Sequence, residues 1–208
     1  MKRIVVAGTG TGIGKTFVSA ILVEALEADY WKPVQAGNLD YTDTDCVKQY
    51  ISNSKTIYHP EGYRLLAPMS PHAAAAAEGI AIDLNKLSVP LTANNLIIEL
   101  AGGLMVPLNN RELNTDLIRK WNLPLILVSE NYLGSINHTL LSVEVLKRQG
   151  VRVLGIIFNG EANQATEEFI EMFTGLPILA RINRQKEINK KTVKRIADDL
   201  KHQLNQFI

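Results

Sequence analysis

The sequence has 208 residues, 46% hydrophobic and 21% charged, with a formal net charge of +1. A chain of that length buries roughly 70% of the surface its unfolded form exposes, so one domain over residues 1–208 is expected and the composition argues against disorder. The near-neutral charge removes any global electrostatic case for nucleic acid or an anionic membrane, and a lone cysteine, Cys46, rules out an internal disulfide or a multi-cysteine zinc site.

The apolar run after Lys2 and Arg3 ends at Gly8, too short for a signal core or a membrane span, so a reducing cytoplasm is expected. Ile4, Val5 and Val6 are β-branched and predict a buried strand. It runs into Gly8-Thr9-Gly10-Thr11-Gly12-Ile13-Gly14-Lys15-Thr16, and then into a helix with Phe17, Val18, Ile21, Leu22, Ala25 and Leu26 at helical spacing. Glycines let successive N–H groups converge on one anion. The helix start adds partial positive charge, Lys15 a full one, and the Thr16 hydroxyl suits magnesium. The spacing is a variant, because the common pattern puts a glycine where Thr9 stands and here Gly8 lies one position earlier. This reads as a phosphate cradle; the plain alternative is a glycine-rich turn that binds nothing.

A second short strand is predicted over 30–34, ended by Pro33, which cannot donate to a sheet ladder and should release Gln35-Ala36-Gly37 as a loop. Asp43 or Thr44 is expected to cap a helix through Val47 and Tyr50. Residues 52–62 are polar and irregular. Ser70-Pro71-His72 signals a helix start that the alanine run 73–77 continues. Further strands are predicted over 95–100, 123–129, 151–158 and 177–182, alternating with helices over 114–121, 135–149, 164–173 and 185–207. The basic stretch 181–201 reads as the solvated face of that last helix. Apolar strands alternating with helices give the fold class α/β, a doubly wound, mostly parallel sheet with helices on both faces. Ligands bind beyond the carboxyl ends of such strands, and the glycine and polar clusters at 8–16, 32–37, 99–103, 129–137 and 159–160 fall there.

Glu99, near a buried strand end ahead of Ala101-Gly102-Gly103, should face magnesium and phosphates, or else cap a neighbouring helix. Asp43 and Asp45 are candidate further metal ligands or helix caps. Lys32, just before Pro33, is a second cation for the site unless it lies exposed. Asn159 offers the donor and acceptor that an adenine edge requires, or merely forms the turn before Gly160. Gly134, Ser135, Ile136 and Asn137 open a helix whose free N–H groups suit a carboxylate. His138 reads as packed or capping rather than catalytic.

Taken in order, the stretched loop 8–16, Lys32-Pro33-Val34-Gln35-Ala36-Gly37, Ser70-Pro71-His72 with Glu78-Gly79, Glu99 with Ala101-Gly102-Gly103, Pro107-Leu108, Gly134-Ser135-Ile136-Asn137-His138 and Asn159 resemble the dethiobiotin synthetases, ATP-dependent ligases of biotin biosynthesis with a P-loop NTPase fold. The resemblance implies a cytoplasmic homodimer with active sites along the subunit interface. Its substrates would be 7,8-diaminononanoate, CO2 and ATP with Mg2+, joined through a carbamate and a carbamic-phosphoric anhydride to give dethiobiotin, ADP and phosphate. It implies catalytic roles for Lys15, Lys32 and Thr11. Nucleotide contacts would come from Gly12, Ile13, Gly14, Lys15, Thr16, Phe17 and Asn159, and magnesium ligands from Thr16, Asp45 and Glu99. Substrate contacts would come from Ala36, Gly102, Gly134, Ser135, Ile136 and Asn137. The chain departs from the family in three places. An acidic residue is common where Gly12 stands, Asp or Asn where Gly10 stands, and a hydroxyl where Ala36 stands.

Two other classes share such a loop. Partition and septum-positioning switch ATPases carry a second lysine early in it, whereas Gly8 to Gly14 contain none. Glutamine-dependent ligases of the cobyrinate type need a glutaminase domain with a nucleophilic cysteine, for which this chain has neither the length nor a suitable residue.

Overall fold

A computed structural model of the chain describes residues 1–207. The elements run β1 (Arg3–Gly8), α1 (Lys15–Leu26), β2 (Asp29–Trp31), β3 (Val34–Ala36), α2 (Asp43–Tyr50), β4 (Tyr58–His59), β5 (Tyr63–Leu65) and α3 (Pro71–Ala77). They continue with β6 (Leu96–Gly103), α4 (Asn114–Trp121), β7 (Leu125–Ser129), α5 (Ser135–Arg148), β8 (Val153–Asn159), α6 (Gln164–Thr174), β9 (Ile178–Ile182) and α7 (Lys190–Phe207). Seven strands form one sheet in the order β4-β2-β6-β1-β7-β8-β9, and the registered pairs within it are parallel.

The strand period of two divides the core between the sheet's faces. Ile4 and Val6 of β1, Ile97 of β6 and Ile126 and Val128 of β7 pack with α1, α7 and Val47 of α2. Val5 and Ala7, Ile98 and Leu100, and Leu125 and Leu127 pack against α3, α4, α5 and α6. Each fully buried Val, Ile or Leu contributes about 1.5–3 kcal/mol of transfer free energy. That two-sided burial fixes the strand ends on which the site is built.

Four expectations shift. The strand expected over 30–34 is Asp29–Trp31, stopping two residues before Pro33, and 35–37 is not all loop: Val34–Ala36 pairs with Tyr63–Leu65 as a small parallel ribbon, begun where the Pro33 carbonyl accepts the N–H groups of Gly62 and Tyr63 at 2.9 and 3.1 Å. The cap of α2 is Thr42, not Asp43 or Thr44; its hydroxyl accepts the Asp45 N–H while the Asp45 carboxylate accepts the Thr42 N–H. The last helix starts at Lys190 rather than 185, because the Asn189 side chain accepts the Thr192 N–H at 3.0 Å and sets the first turn there. Arg181 and Arg184 therefore lie outside it, and Arg181 pairs with the buried Glu167. The strand over 95–100 continues to Gly103, with a register irregularity against β1 between Val6 and Gly8. Extra residues on one strand bend it and re-aim its side chains, here directly after Glu99.

Candidate active site

The loop after β1 turns on two glycines in the left-handed region, Gly12 at φ 79° and Gly14 at φ 84°, where a side chain is strained. Gly8 is crowded: a Cβ there would stand 2.6 Å from Ile13 Cδ1 and 3.1 Å from the Gly10 carbonyl oxygen. The first intrahelical bond of α1 is Val18 N–H to Gly14 O at 3.0 Å. The amides of Lys15, Thr16 and Phe17 therefore precede the ladder and point along the helix start, as an anion site requires. Lys15 Nζ donates to Gly10 O at 2.7 Å. Burial first, and the Lys32 ammonium second, lower the Lys15 pKa from 10.5 to about 8.

Lys32, Asp43 and Glu99 converge beside this loop. Lys32 Nζ lies 2.6 Å from Asp43 Oδ2 and 2.9 Å from Glu99 Oε1, and Glu99 Oε1 also accepts from the Thr16 hydroxyl at 2.9 Å. Glu99 Oε2 accepts from the Tyr30 hydroxyl at 2.8 Å. Lys32 is 3% exposed and Glu99 1%, so neither charge is stable there alone. Burial opposes the charged form of Lys32, but Glu99 and Asp43 outweigh it and its pKa is raised. Burial first, then the Glu99 charge, pushes the Tyr30 phenol well above its ordinary value.

The two groups share one cavity of about 670 Å³, lined also by Thr11, Gly12, Gly14, Ala36 and Gly102. Thr11 comes close to Gly102: a Cβ on that glycine would sit 3.4 Å from the Thr11 hydroxyl oxygen. Asp45 is not among the lining residues. Its carboxylate is spent on the Thr42 cap and lies 3.5 Å from the Lys48 ammonium. Asp43, first residue of α2, is the acid that faces the cleft.

Asn159 closes a second cavity of about 400 Å³ with Gly14, Phe17, Glu130 and Arg184. Its Nδ2 donates to Ile13 O at 3.0 Å, so one of the two amide N–H groups is engaged by the loop itself and the second is left for a base edge. Ile13 is buried and reaches this region through its carbonyl. Gly134, Ile136 and Asn137 line a third concavity of about 650 Å³ with Tyr132 and Leu133, apart from the Lys15 cleft; Ser135 is buried behind them. His138 bonds Tyr132 at 2.6 Å and is exposed.

Sequence reasoning missed Tyr30, although strand alternation puts it on the same face as Lys32 two residues on. It also missed Gln35, whose amide oxygen accepts the Asp43 N–H at 3.3 Å. Glu130 and Arg184, which line the Asn159 cavity, carry no local signal in the sequence.

Thr16, Glu99 and Asp43 present hard oxygen donors around a cation already seated among them, the Lys32 ammonium. That donor set fits magnesium, which takes one or two carboxylates and completes its shell with phosphate and water. Among the described residues no group of three or more His, Cys, Asp or Glu gathers as a metal cage.

The family described as an AAA domain matches residues 2–192. A relative in Christiangramia forsetii, named ATP-dependent dethiobiotin synthetase BioD, is 46% identical over 203 residues, covering 98% of both chains. This chain belongs to the dethiobiotin synthetase family. A second synthetase of that name, from Cytophaga hutchinsonii, is 47% identical over 93% of this chain and 94% of its own. Among solved structures, the cell-division ATPase MinD of Pyrococcus furiosus aligns over the whole of both chains with a TM-score of 0.67 at 16% identity. A putative plasmid partition protein of Borrelia burgdorferi aligns with a TM-score of 0.61 at 10% identity, covering 99% of this chain and 98% of that one. At such identities the likeness shows a shared P-loop fold, and the synthetase family is set apart from it by sequence.

Proposed function

We propose that this chain converts 7,8-diaminononanoate, CO2 and ATP to dethiobiotin, ADP and phosphate. The observation that carries the proposal is the convergence of Lys15, Lys32, Thr16, Asp43 and Glu99 in one cleft, in a chain so close to named synthetases along its length. One amine of the diamine takes up CO2 as a carbamate, whose oxygen attacks the γ-phosphorus and releases ADP. The second amine attacks the carbonyl carbon of the resulting anhydride, closing the cyclic urea and expelling phosphate.

Phosphoryl transfer is mainly a matter of positioning and charge stabilisation. The loop amides and Lys15 would hold the triphosphate, and Lys32 would neutralise charge between the carbamate and the transferred group. Thr16, Glu99 and Asp43, rather than Asp45, would hold magnesium, which adds positive charge at the phosphate oxygens when bound. Thr11 and Gly102, close together on the cleft wall, would flank the diamine, as would Ala36, which lines the same cleft. Phe17, Gly14 and Asn159 would flank the base.

The remaining substrate contacts lie in the separate concavity of Gly134, Ile136 and Asn137. A cleft divided in this way suits a homodimer in which one subunit completes the other's site. Exposed Leu133, Leu141, Phe169, Met172 and Phe173 on and beside α5 and α6 supply apolar surface for such an interface. Among the described residues no helix is long and apolar enough to cross a membrane, and a cytoplasmic enzyme acting on small molecules, without nucleic acid or membrane, fits the near-neutral charge.

The purified chain incubated with ATP, magnesium, bicarbonate and the diamine is expected to yield dethiobiotin by mass spectrometry. ATP hydrolysis at one rate with and without the diamine would refute the assignment.

A further inference from the structure

The charged side chains of the main cleft balance. Two ammonium groups, Lys15 and Lys32, stand with two carboxylates, Asp43 and Glu99; Lys15, Lys32 and Glu99 are buried and Asp43 is partly exposed at the cleft. Lys32 Nζ is not merely near the proposed metal ligands. It lies within 2.9 Å of both carboxylates, and one of the oxygens it contacts, Glu99 Oε1, is the same oxygen the Thr16 hydroxyl contacts. A divalent ion cannot share that position with an ammonium without placing like charges a few ångströms apart in a low-dielectric cleft. Added alone, it would also leave the cleft with an excess of two positive charges, which burial penalises.

Resting on the magnesium reading above, we propose that Lys32 is the resident cation of the metal position in the nucleotide-free enzyme. A divalent ion enters only in exchange for the ammonium. The exchange is made favourable by the triphosphate, whose negative charge offers Lys32 a new partner and compensates the incoming ion. Lys32 thereby has two successive duties. It keeps Asp43 and Glu99 satisfied in the empty protein, and it is delivered to the reacting phosphoryl group by the event that loads the metal. The enzyme would therefore not accumulate bare metal, and a misloaded state with metal but no nucleotide is suppressed.

The test uses Mn2+ alone as probe, with the full chain and no nucleotide, reading bound ion by electron paramagnetic resonance. Wild type is expected to bind weakly, and Lys32→Gln, which keeps a hydrogen-bond donor but no charge, at least about tenfold more tightly. Lys15→Gln removes the same charge without vacating the carboxylates, so it is expected to gain several-fold less than Lys32→Gln. Wild type binding Mn2+ as tightly as Lys32→Gln overturns the exchange, as does an equal gain in both variants. If Lys32→Gln is unfolded without metal, Mn2+ is titrated into it: recovery of helical circular dichroism supports the exchange, and no recovery overturns it. Dethiobiotin formation by wild type is scored separately, so an active wild type with no Mn2+ gain in Lys32→Gln sinks the exchange and leaves the function standing.

Discussion

Replacing Lys15 by methionine is expected to stabilise the nucleotide-free protein while abolishing its hold on ATP. The side chain is 6% exposed, and burial followed by Lys32 brings its pKa from 10.5 to about 8. That gap corresponds to about 3 kcal/mol withheld from the folded state wherever the lysine is charged in both states. A base whose pKa falls on folding destabilises fully below its folded value, and the penalty fades as pH climbs from about 8 towards 10.5. Methionine forfeits the 2.7 Å bond to Gly10 O, worth about 1 kcal/mol, so the net gain near neutral pH is about 2 kcal/mol. Urea unfolding of parent and variant without nucleotide, at about pH 7 and again at about pH 10, measures it. The variant should be the more stable at the lower pH, with the advantage shrinking at the higher, and ATP should raise the melting temperature of the parent alone. A variant less stable than its parent at neutral pH, or an offset indifferent to pH, refutes the reasoning.

The same lysine predicts that ATP binding becomes pH-dependent above about pH 8: binding there takes up a proton, so affinity falls by up to about tenfold per pH unit, and a flat calorimetric profile to pH 9 would count against it. Asp43→Asn is expected to cut turnover by at least about a hundredfold. Asp45→Asn should keep near-parental turnover and lose about 0.5–1 kcal/mol through its cap; the reverse order would return the metal role to Asp45. Gly14→Ala forces a left-handed alanine whose Cβ stands 2.2 Å from Asn159 Nδ2. It is expected to cost about 2 kcal/mol in thermal unfolding and to raise KM for ATP, and parental values would show that the close approach does not matter. For the proposed homodimer, Phe173→Glu is expected to shift sedimentation towards monomer and to lower turnover with it; an unchanged dimer would move the interface elsewhere, and a monomeric parent would remove it.

The strand, loop and helix at the start were legible because their causes are local: β-branched residues, glycines and a helical apolar stripe within a couple of dozen positions. So were most helices, α4 to the residue. The β3–β5 ribbon was not, since three-residue strands carry almost no period and their pairing depends on Pro33 meeting Gly62. Lys32 and Glu99 meet 2.9 Å apart in the cleft, as their position at strand ends implies, since a buried parallel sheet leaves little other direction. Asp43 and Asp45 could not be separated from sequence. The choice turns on which residue caps α2, and Thr42 recruits Asp45 to that task, leaving Asp43 for the cleft. Asn159 reads from sequence as an amide for a base edge; that its Nδ2 also donates to Ile13 O across 146 positions of sequence is a contact only the assembled sheet creates.

Tyr30 tethers Glu99 Oε2 while Thr16 and Lys32 contact Oε1, so the carboxylate's orientation is held at both oxygens. A carboxylate with one oxygen already hydrogen-bonded is biased towards coordination through the other, which would suit a small, rigidly octahedral ion better than calcium with its appetite for bidentate acids. Freeing Oε2 with Tyr30→Phe is expected to raise the affinity for calcium relative to magnesium.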